Sequence, residues 1–293
     1  MQDFSFHMHT AGFDGRNSEE EMLQKAKECG LKQIGFSNHF IVYPNIEKTN
    51  MYPYAVKGGY ESIYSSDFDE AISKFAPHYQ KIDELNKNSD IKIYKGMEVD
   101  FFASDEWREG FERALKILKP DYLIGSAHFV EYNNTLYNSY DLKNSSACEQ
   151  NKLVHRYWQN VRTAADSGLF DFMAHLDLIK KVGLGREDIW AEDERKTIET
   201  IKISGVAVEI NTSHFNFDEN EPYPSKRIME MLAEYDIPVL LSDDAHKKEN
   251  ITAGFAKAEK IAREFGVSNF INPLKNKDCL PLKRLSKSKE NSF

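Results

Sequence analysis

Short apolar runs alternate with amphipathic stretches along almost the whole chain. Residues 4–6, 33–37, 91–97, 122–127, 170–174, 206–210 and 238–242 read as strands, mostly continuous apolar runs of the kind a buried parallel sheet uses. Between them lie helical periodicities. Ser18-Glu19-Glu20-Glu21 is a capping box that opens a helix with Met22, Leu23 and Ala26 on its apolar side, and Gly30 closes it. Further helices are predicted over 67–86, with Pro77 as a kink or break, and over 105–118, 148–167, 188–203, 225–235 and 253–265. A weak strand follows at 268–271. Residues 41–66, rich in Tyr, Gly, Pro and Asn, read as a long loop and a candidate lid. Seven strands, each followed by a helix or a long crossover, predict an α/β fold whose parallel sheet closes into a barrel.

The ends of those strands carry the chemistry. Active sites of α/β barrels are built at the C-terminal ends of the strands. There this sequence places His7 and His9, His39, Glu98, His128, His175, Glu209 with Asn211, and Asp244 with His246. In an extended strand residues i and i+2 share a face, so His7 and His9 aim at one point, and Asp244 and His246 repeat the spacing. Closure of the barrel would set the two pairs side by side. Six of the nine histidines stand at strand ends, and His214 lies just beyond one. His78 and His155 fall within helices and read as packing or surface residues. Burying so many polar groups without a cation is costly, and a His/carboxylate set without cysteine suits Zn²⁺, Mn²⁺ or Fe²⁺. The ligand number predicts two or three divalent ions with a bridging carboxylate.

Composition narrows the partners. A formal net charge of −9 implies no broad basic face, which makes nucleic acid an unlikely main partner. No charged-then-apolar leader and no bilayer-length apolar run is present. Cys29, Cys148 and Cys279 are odd in number and widely spaced, so they read as reduced thiols of a cytoplasmic protein. The expected domain is a single barrel over 1–282, followed by a basic, Ser-rich, disordered tail over 283–293. Oligomeric state leaves no mark on the sequence.

Taken together, His7-x-His9, the turn at Asp14, Ser37-Asn38-His39, Gly96-Met97-Glu98-Val99-Asp100, Gly125-Ser126-Ala127-His128-Phe129, Ala174-His175-Leu176-Asp177, Glu209-Ile210-Asn211-Thr212-Ser213 and Ser242-Asp243-Asp244-Ala245-His246 resemble the polymerase-and-histidinol-phosphatase (PHP) family. Within it, the length and the Glu-Ile-Asn-Thr-Ser run are most similar to the monofunctional histidinol-phosphate phosphatases. The resemblance implies a distorted seven-stranded (β/α)7 TIM-like barrel with a trinuclear metal site. His7, His9, Glu98 and Asp244 would hold one ion, Glu98 with His128 and His175 a second, and Asp14, His39 and His246 a third. Asp14 stands where many relatives carry His. Asp243 inserts an extra acid, and Asp244 is taken as the ligand because only it keeps Asp-x-His.

The chemistry implied is hydrolysis of a small phosphate ester by a metal-activated hydroxide, with Asp244, Glu98 and His246 as the catalytic set. L-Histidinol phosphate is the expected substrate. Arg156 and Lys180, with Lys181 and Arg186, are candidates to contact its phosphate, and Glu209 and Asn211 its amino or imidazole end. A phosphatase or phosphodiesterase acting on nucleotides, nucleic-acid ends or a phosphoprotein is the alternative within the same fold. A non-catalytic metal-binding module is the alternative outside the enzymes.

Overall fold

The computed structural model describes residues 2–184 and 188–275. The tail from Lys283, Cys279 and Arg186 lie outside the described residues. In chain order the strands are β1 Phe4–Ser5, β2 Gln33–Phe36, β3 His39–Val42, β4 Tyr64–Ser65, β5 Lys92–Asp100, β6 Tyr122–Ser126, β7 Phe129–Tyr132, β8 Thr135–Asn138, β9 Phe172–Met173, β10 Ala207–Asn211 and β11 Val239–Ser242. The helices are α1 Glu19–Glu28, α2 Tyr52–Gly58, α3 Phe68–Asn88, α4 Asp105–Leu118, α5 Ala147–Asp166, α6 Ala191–Ser204, α7 Lys226–Glu234 and α8 Phe255–Glu264.

Seven parallel strands in the order β1-β2-β5-β6-β9-β10-β11 form a nearly closed barrel. Its seam is short. Met8 and Ala245 make a single parallel bridge, with His9 N–H donating to Ala245 O (3.0 Å) and Ala245 N–H to His7 O (3.2 Å). Nearer the start of the strands the Gln2 side chain takes the place of a strand edge. Its amide donates to Leu241 O (2.7 Å) and accepts from Leu241 N–H (2.9 Å).

Two apolar layers result. Alternate strand residues such as Ile34, Met97, Leu123, Met173, Val208 and Leu241 face outward into the core shared with the helices. The others face inward, where Phe4, Phe6, Tyr122, Ile124, Phe172 and Leu240 fill the barrel near the strand starts. Tyr122 is the keystone of that plug. Its ring occupies the space above Gly35 and Gly96, where an added Cβ would lie 2.2 Å from it, and its hydroxyl donates to Phe6 O (2.6 Å).

Three local expectations change. Residues 41–66 are not a loop, since they hold β3, α2, β4 and two short 3-10 turns, and β3 pairs with β5. Pro77 lies inside one uninterrupted 21-residue helix, α3. The expected strand over 268–271 reduces to one bridge, Val239 with Phe270. The capping box is present as read, with Ser18 and Glu21 capping each other's backbone N–H.

Candidate metal centre

Inward-facing positions turn from apolar to ionisable as the strands approach their C-terminal ends. On β5, Tyr94 and Gly96 border the apolar plug, and the next two inward positions are Glu98 and Asp100. On β10, Ala207 gives way to Glu209 and Asn211. The alternation breaks twice, and each break delivers a histidine. Phe6 and His7 both face inward, as do Ala174 and His175.

Glu98 is the hub. It is fully buried, and five imidazoles surround its carboxylate: His39 Nδ1 at 2.8 Å, His175 Nε2 at 3.0 Å, His7 Nε2 at 3.3 Å, His9 Nε2 at 3.5 Å and His128 Nε2 at 3.6 Å. Asp14 forms a second hub, within 3.1 Å of His39 Nε2, 2.9 Å of His246 Nε2 and 3.1 Å of His9 Nδ1. Asp244 closes the ring, 3.2 Å from His9 Nε2 and 3.6 Å from His7 Nε2. Its backbone is left-handed, with φ 46°, a conformation that costs energy for a residue with a Cβ and clusters at functional sites. Asp243 points elsewhere, accepting from Ser5 Oγ (3.0 Å) and Thr252 N–H (2.8 Å).

These residues suit cations better than they suit one another. His7 Nε2, His9 Nε2, His39 Nδ1 and Glu98 Oε2 are buried with no hydrogen-bond partner, although the three nitrogens lie within 3.5 Å of that oxygen. Imidazole nitrogens and a carboxylate oxygen packed this closely with no well-aligned hydrogen bond between them are the natural lining of a divalent-ion site. Three overlapping ligand groups can be drawn: His7-His9-Glu98, His39-Glu98-His128 and His9-Asp14-His39-His246. The donors are imidazole nitrogens and carboxylate oxygens, a set for Zn²⁺ and its neighbours in the first transition row.

The electrostatics agree. Burial alone would lower His7, but Glu209, Asp244 and Glu98 outweigh it and hold the ring well above its usual range. Burial likewise opposes charge on His39, and Glu98 with Asp14 raises it. Burial would push Glu98, Asp14 and Asp244 up, yet the surrounding imidazoles drive all three carboxyls well below the normal range. Without cations, His7 and His39 hold a proton more firmly than a free imidazole does, so ions entering the site must displace those protons.

A supporting shell holds the rings. His7 Nδ1–H donates to Glu209 Oε2 (2.8 Å), which leaves Nε2 for the centre. Glu209 Oε1 also accepts from His175 N–H (2.9 Å) and Asn211 Nδ2 (2.7 Å). His128 Nδ1–H donates to Asp100 (2.9 Å), and its backbone N–H to the other oxygen (2.7 Å). His78, read as a packing residue, is buried beneath the turn after His9, between Glu19 (2.7 Å) and Asn38 (3.1 Å), and Asn38 Oδ1 accepts from Thr10 N–H (2.8 Å). His155 is half-exposed on α5 and pairs with Asp193.

The centre opens into a cavity of about 550 Å³. Asp14, His39, His128, His175, Asp244 and His246 face it, while His7, His9 and Glu98 lie buried behind them. The segment expected to be a lid supplies part of the wall, through Met51, Tyr54, Tyr60 and Tyr64.

The four expected substrate contacts do not sit in this cavity. Glu209 and Asn211 are fully buried behind His7 and do not reach the opening. Arg156 is on the outer face, bonded to Glu131 O (3.2 Å) and Gln159 (2.8 Å), and lines a different cavity. Lys180 is buried against Glu221 (3.3 Å) and the Tyr223 ring (4.8 Å). The next residue, Lys181, does line the site, with Nζ on the Tyr140 hydroxyl and 4.2 Å from the Phe217 ring centre. Tyr140 and Asp141 also line it and carried no sequence signal.

The profile of the PHP domain matches residues 5–213. A Deinococcus radiodurans protein named "Probable histidinol-phosphatase" is 27% identical over 267 residues, spanning 89% of this chain and 92% of that one. One of the same name from Schizosaccharomyces pombe is 24% identical over 289 residues, spanning 90% and 87%. Among solved structures, histidinol phosphate phosphatase (HISK) from Lactococcus lactis, in complex with Zn, L-histidinol and phosphate, shares the fold. Its TM-score is 0.64 at 15% identity, covering 93% of this chain and 98% of that one.

Proposed function

The chain belongs to the PHP domain family, and on that premise we propose that it is a metal-dependent phosphomonoesterase hydrolysing L-histidinol phosphate to L-histidinol and phosphate. The observation that carries the reading is the cluster of unpaired, buried imidazole nitrogens around Glu98 at the floor of an open cavity. The names of the two relatives support the substrate, as does the ligand pair in the Lactococcus structure. The enzyme would work in the cytoplasm on this small ester, without membrane contact; among the described residues no helix is long and apolar enough to cross a bilayer.

Two or three ions, Zn, Mn or Fe, would be held by His7, His9, Glu98 and Asp244, by Glu98, His128 and His175, and by Asp14, His39 and His246. When bound they supply Lewis acidity toward phosphate oxygens and lower the pKa of water. The protein's own groups do the rest. Glu209 and Asp100 fix the tautomers of His7 and His128 so that Nε2 faces the centre. The Asp244 carboxylate, which lines the cavity, would orient the attacking water. In this reading His246 and Glu98 complete the catalytic set with Asp244 as residues that would hold the ions. Lys181 Nζ offers its charge to the phosphate, and Asp141 meets the ammonium end of the ester.

The test is phosphate release by metal-reconstituted protein from L-histidinol phosphate and from a panel of other phosphomonoesters, with Asp244→Ala as the blank. Strong preference for histidinol phosphate, absent from the blank, is expected. Equal rates across the panel would remove the named substrate, and no release with any metal would remove the enzyme. Lys181→Met is expected to raise KM by about tenfold with a smaller fall in kcat, because one charge-assisted contact to phosphate is lost.

A further inference from the structure

His78, on α3, is buried among the rings of Phe13, Phe36 and Phe75, whose centres lie 5.5, 6.2 and 6.3 Å from its own. Its hydrogen bonds go to Glu19 and Asn38, neither of which is proposed to hold an ion. An apolar side chain would fill such a nest at no polar cost, so the imidazole needs another reason to be there. The direction of the hydrogen bonds supplies it. The Thr10 backbone N–H can only donate, so the buried Asn38 side chain turns Oδ1 toward it (2.8 Å) and Nδ2 away. That Nδ2 donates to Thr10 Oγ1 (3.0 Å) and to His78 Nε2 (3.1 Å). Nε2 is therefore bare, and the ring proton sits on Nδ1, which donates to Glu19 Oε1 (2.7 Å). Lys81 Nζ holds the other Glu19 oxygen (2.9 Å). One tautomer of His78 satisfies every link, whereas the other would set Nε2–H against the Asn38 amide hydrogens.

Asn38 is where this chain of bonds meets the metal centre. Thr10 follows His9 in sequence, Asn38 itself precedes His39, and the Asn38 carbonyl accepts from Glu98 N–H (3.2 Å). Phe13, whose ring meets His78 edge to face, precedes Asp14. Every residue of the His9-Asp14-His39 set thus adjoins something that His78 or Asn38 touches. His128 and His175 follow β6 and β9 instead.

We propose that His78 is a positioning residue of the metal centre. As the acceptor for Asn38 Nδ2 it locks that amide, and through the amide it sets the turn bearing His9 and Asp14 against His39. The inference rests on the metal-dependent reading above and adds to it a residue that would hold no ion itself. Partners of this kind, one bond behind the ligands, tune metal affinity by fixing where the ligands stand.

Two substitutions separate the acceptor from the space it fills. In His78→Gln the amide oxygen can replace Nε2 and accept from Asn38, whereas His78→Phe keeps a ring and loses the acceptor. In the full-length protein, competition with a chelator should show zinc held about tenfold more weakly by His78→Phe, and within about threefold of the native affinity by His78→Gln. Side-chain ¹⁵N spectra of the native protein should show His78 protonated on Nδ1 alone, with and without zinc. Thermal melts check that the variants fold. His78→Leu replaces His78→Phe should that variant fail, and the spectra need no variant. A residue that only fills space would rank phenylalanine above glutamine. That order, or native zinc affinity in folded His78→Phe, would overturn the inference, as would a proton on Nε2. Failure of the unsubstituted protein to bind zinc would remove the metal centre itself, and this positioning role with it.

Discussion

Tyr94 and Gly96 on β5 face the barrel interior beside Phe6 and Tyr122, and two residues further the same strand presents Glu98 to five imidazoles. The lower and upper halves of one interior are thus built by the same strands on the same face. The lower half is closed by shape: a large ring over two glycines, with its one polar atom bonded to Phe6 O. Dense packing of this kind needs nothing from outside. The upper half is closed by charge and leaves four polar atoms without partners. Its ion-shaped gap is tolerated because the rest of the fold, the lower plug above all, holds it in place.

The sharpest way to break the upper half is to remove the cations or their hub. Chelation, or Glu98→Gln, is expected to lower phosphate release by about a thousandfold or more, and colorimetric phosphate assays would read it. A fall of only a few fold would mean that the Glu98 cluster is not the reacting centre. Next in size is Glu209→Gln, which keeps the shape but weakens the acceptor of His7 Nδ1–H. Metal affinity, followed by competition with a chelator, should fall about ten- to a hundredfold. Alanine at Gly96 tests the lower half. The Tyr122 ring must move away from the new Cβ, which costs about 1–3 kcal/mol in denaturant melts, while kcat per folded molecule changes little.

The smallest effect concerns Glu19, beneath the turn after His9. Burial would raise its carboxyl, but His78 and Lys81 bring it down to about 2 from an ordinary value of 4.5. A folded-state pKa below the unfolded one gives stability that is complete above the unfolded value and is lost as pH falls through the folded one. The slope of stability between pH 4.5 and about 2 should therefore be shallower in Glu19→Gln. An unchanged slope in urea melts across that window would show that His78 and Lys81 do not hold the charged form.

The upper half was easier to read from the chain than the lower. Histidines and acids at successive strand ends are too costly to bury by accident, so their placement there was itself the signal. What stayed hidden was direction. Parity along β10 puts Glu209 and Asn211 inward, yet nothing in the sequence says that His7 would reach Glu209 before a substrate could. Lys180 and Lys181 are neighbours on a short 3-10 turn, where no strand or helix period tells which faces a cavity. The 41–66 segment defied reading for a related reason: its strands are two to four residues long and held by tertiary pairing rather than by pattern. The structural role of Tyr122 was equally silent, because its partners Gly35 and Gly96 are 87 and 26 residues away in sequence.

The seam of the barrel has a consequence in time. Met8 and Ala245, which join the first and last strands, are flanked by His7, His9, Asp244 and His246. On the ribosome, where chains emerge N-terminus first, the His-x-His pair exists long before the Asp-x-His pair that completes its surroundings. Under the proposed ligand sets, a chain cut short before Asp244 would keep only the Glu98, His128 and His175 group entire, and the other two groups would each lack a member. Completion of those two groups would then fall to the residues that directly follow the eleventh strand.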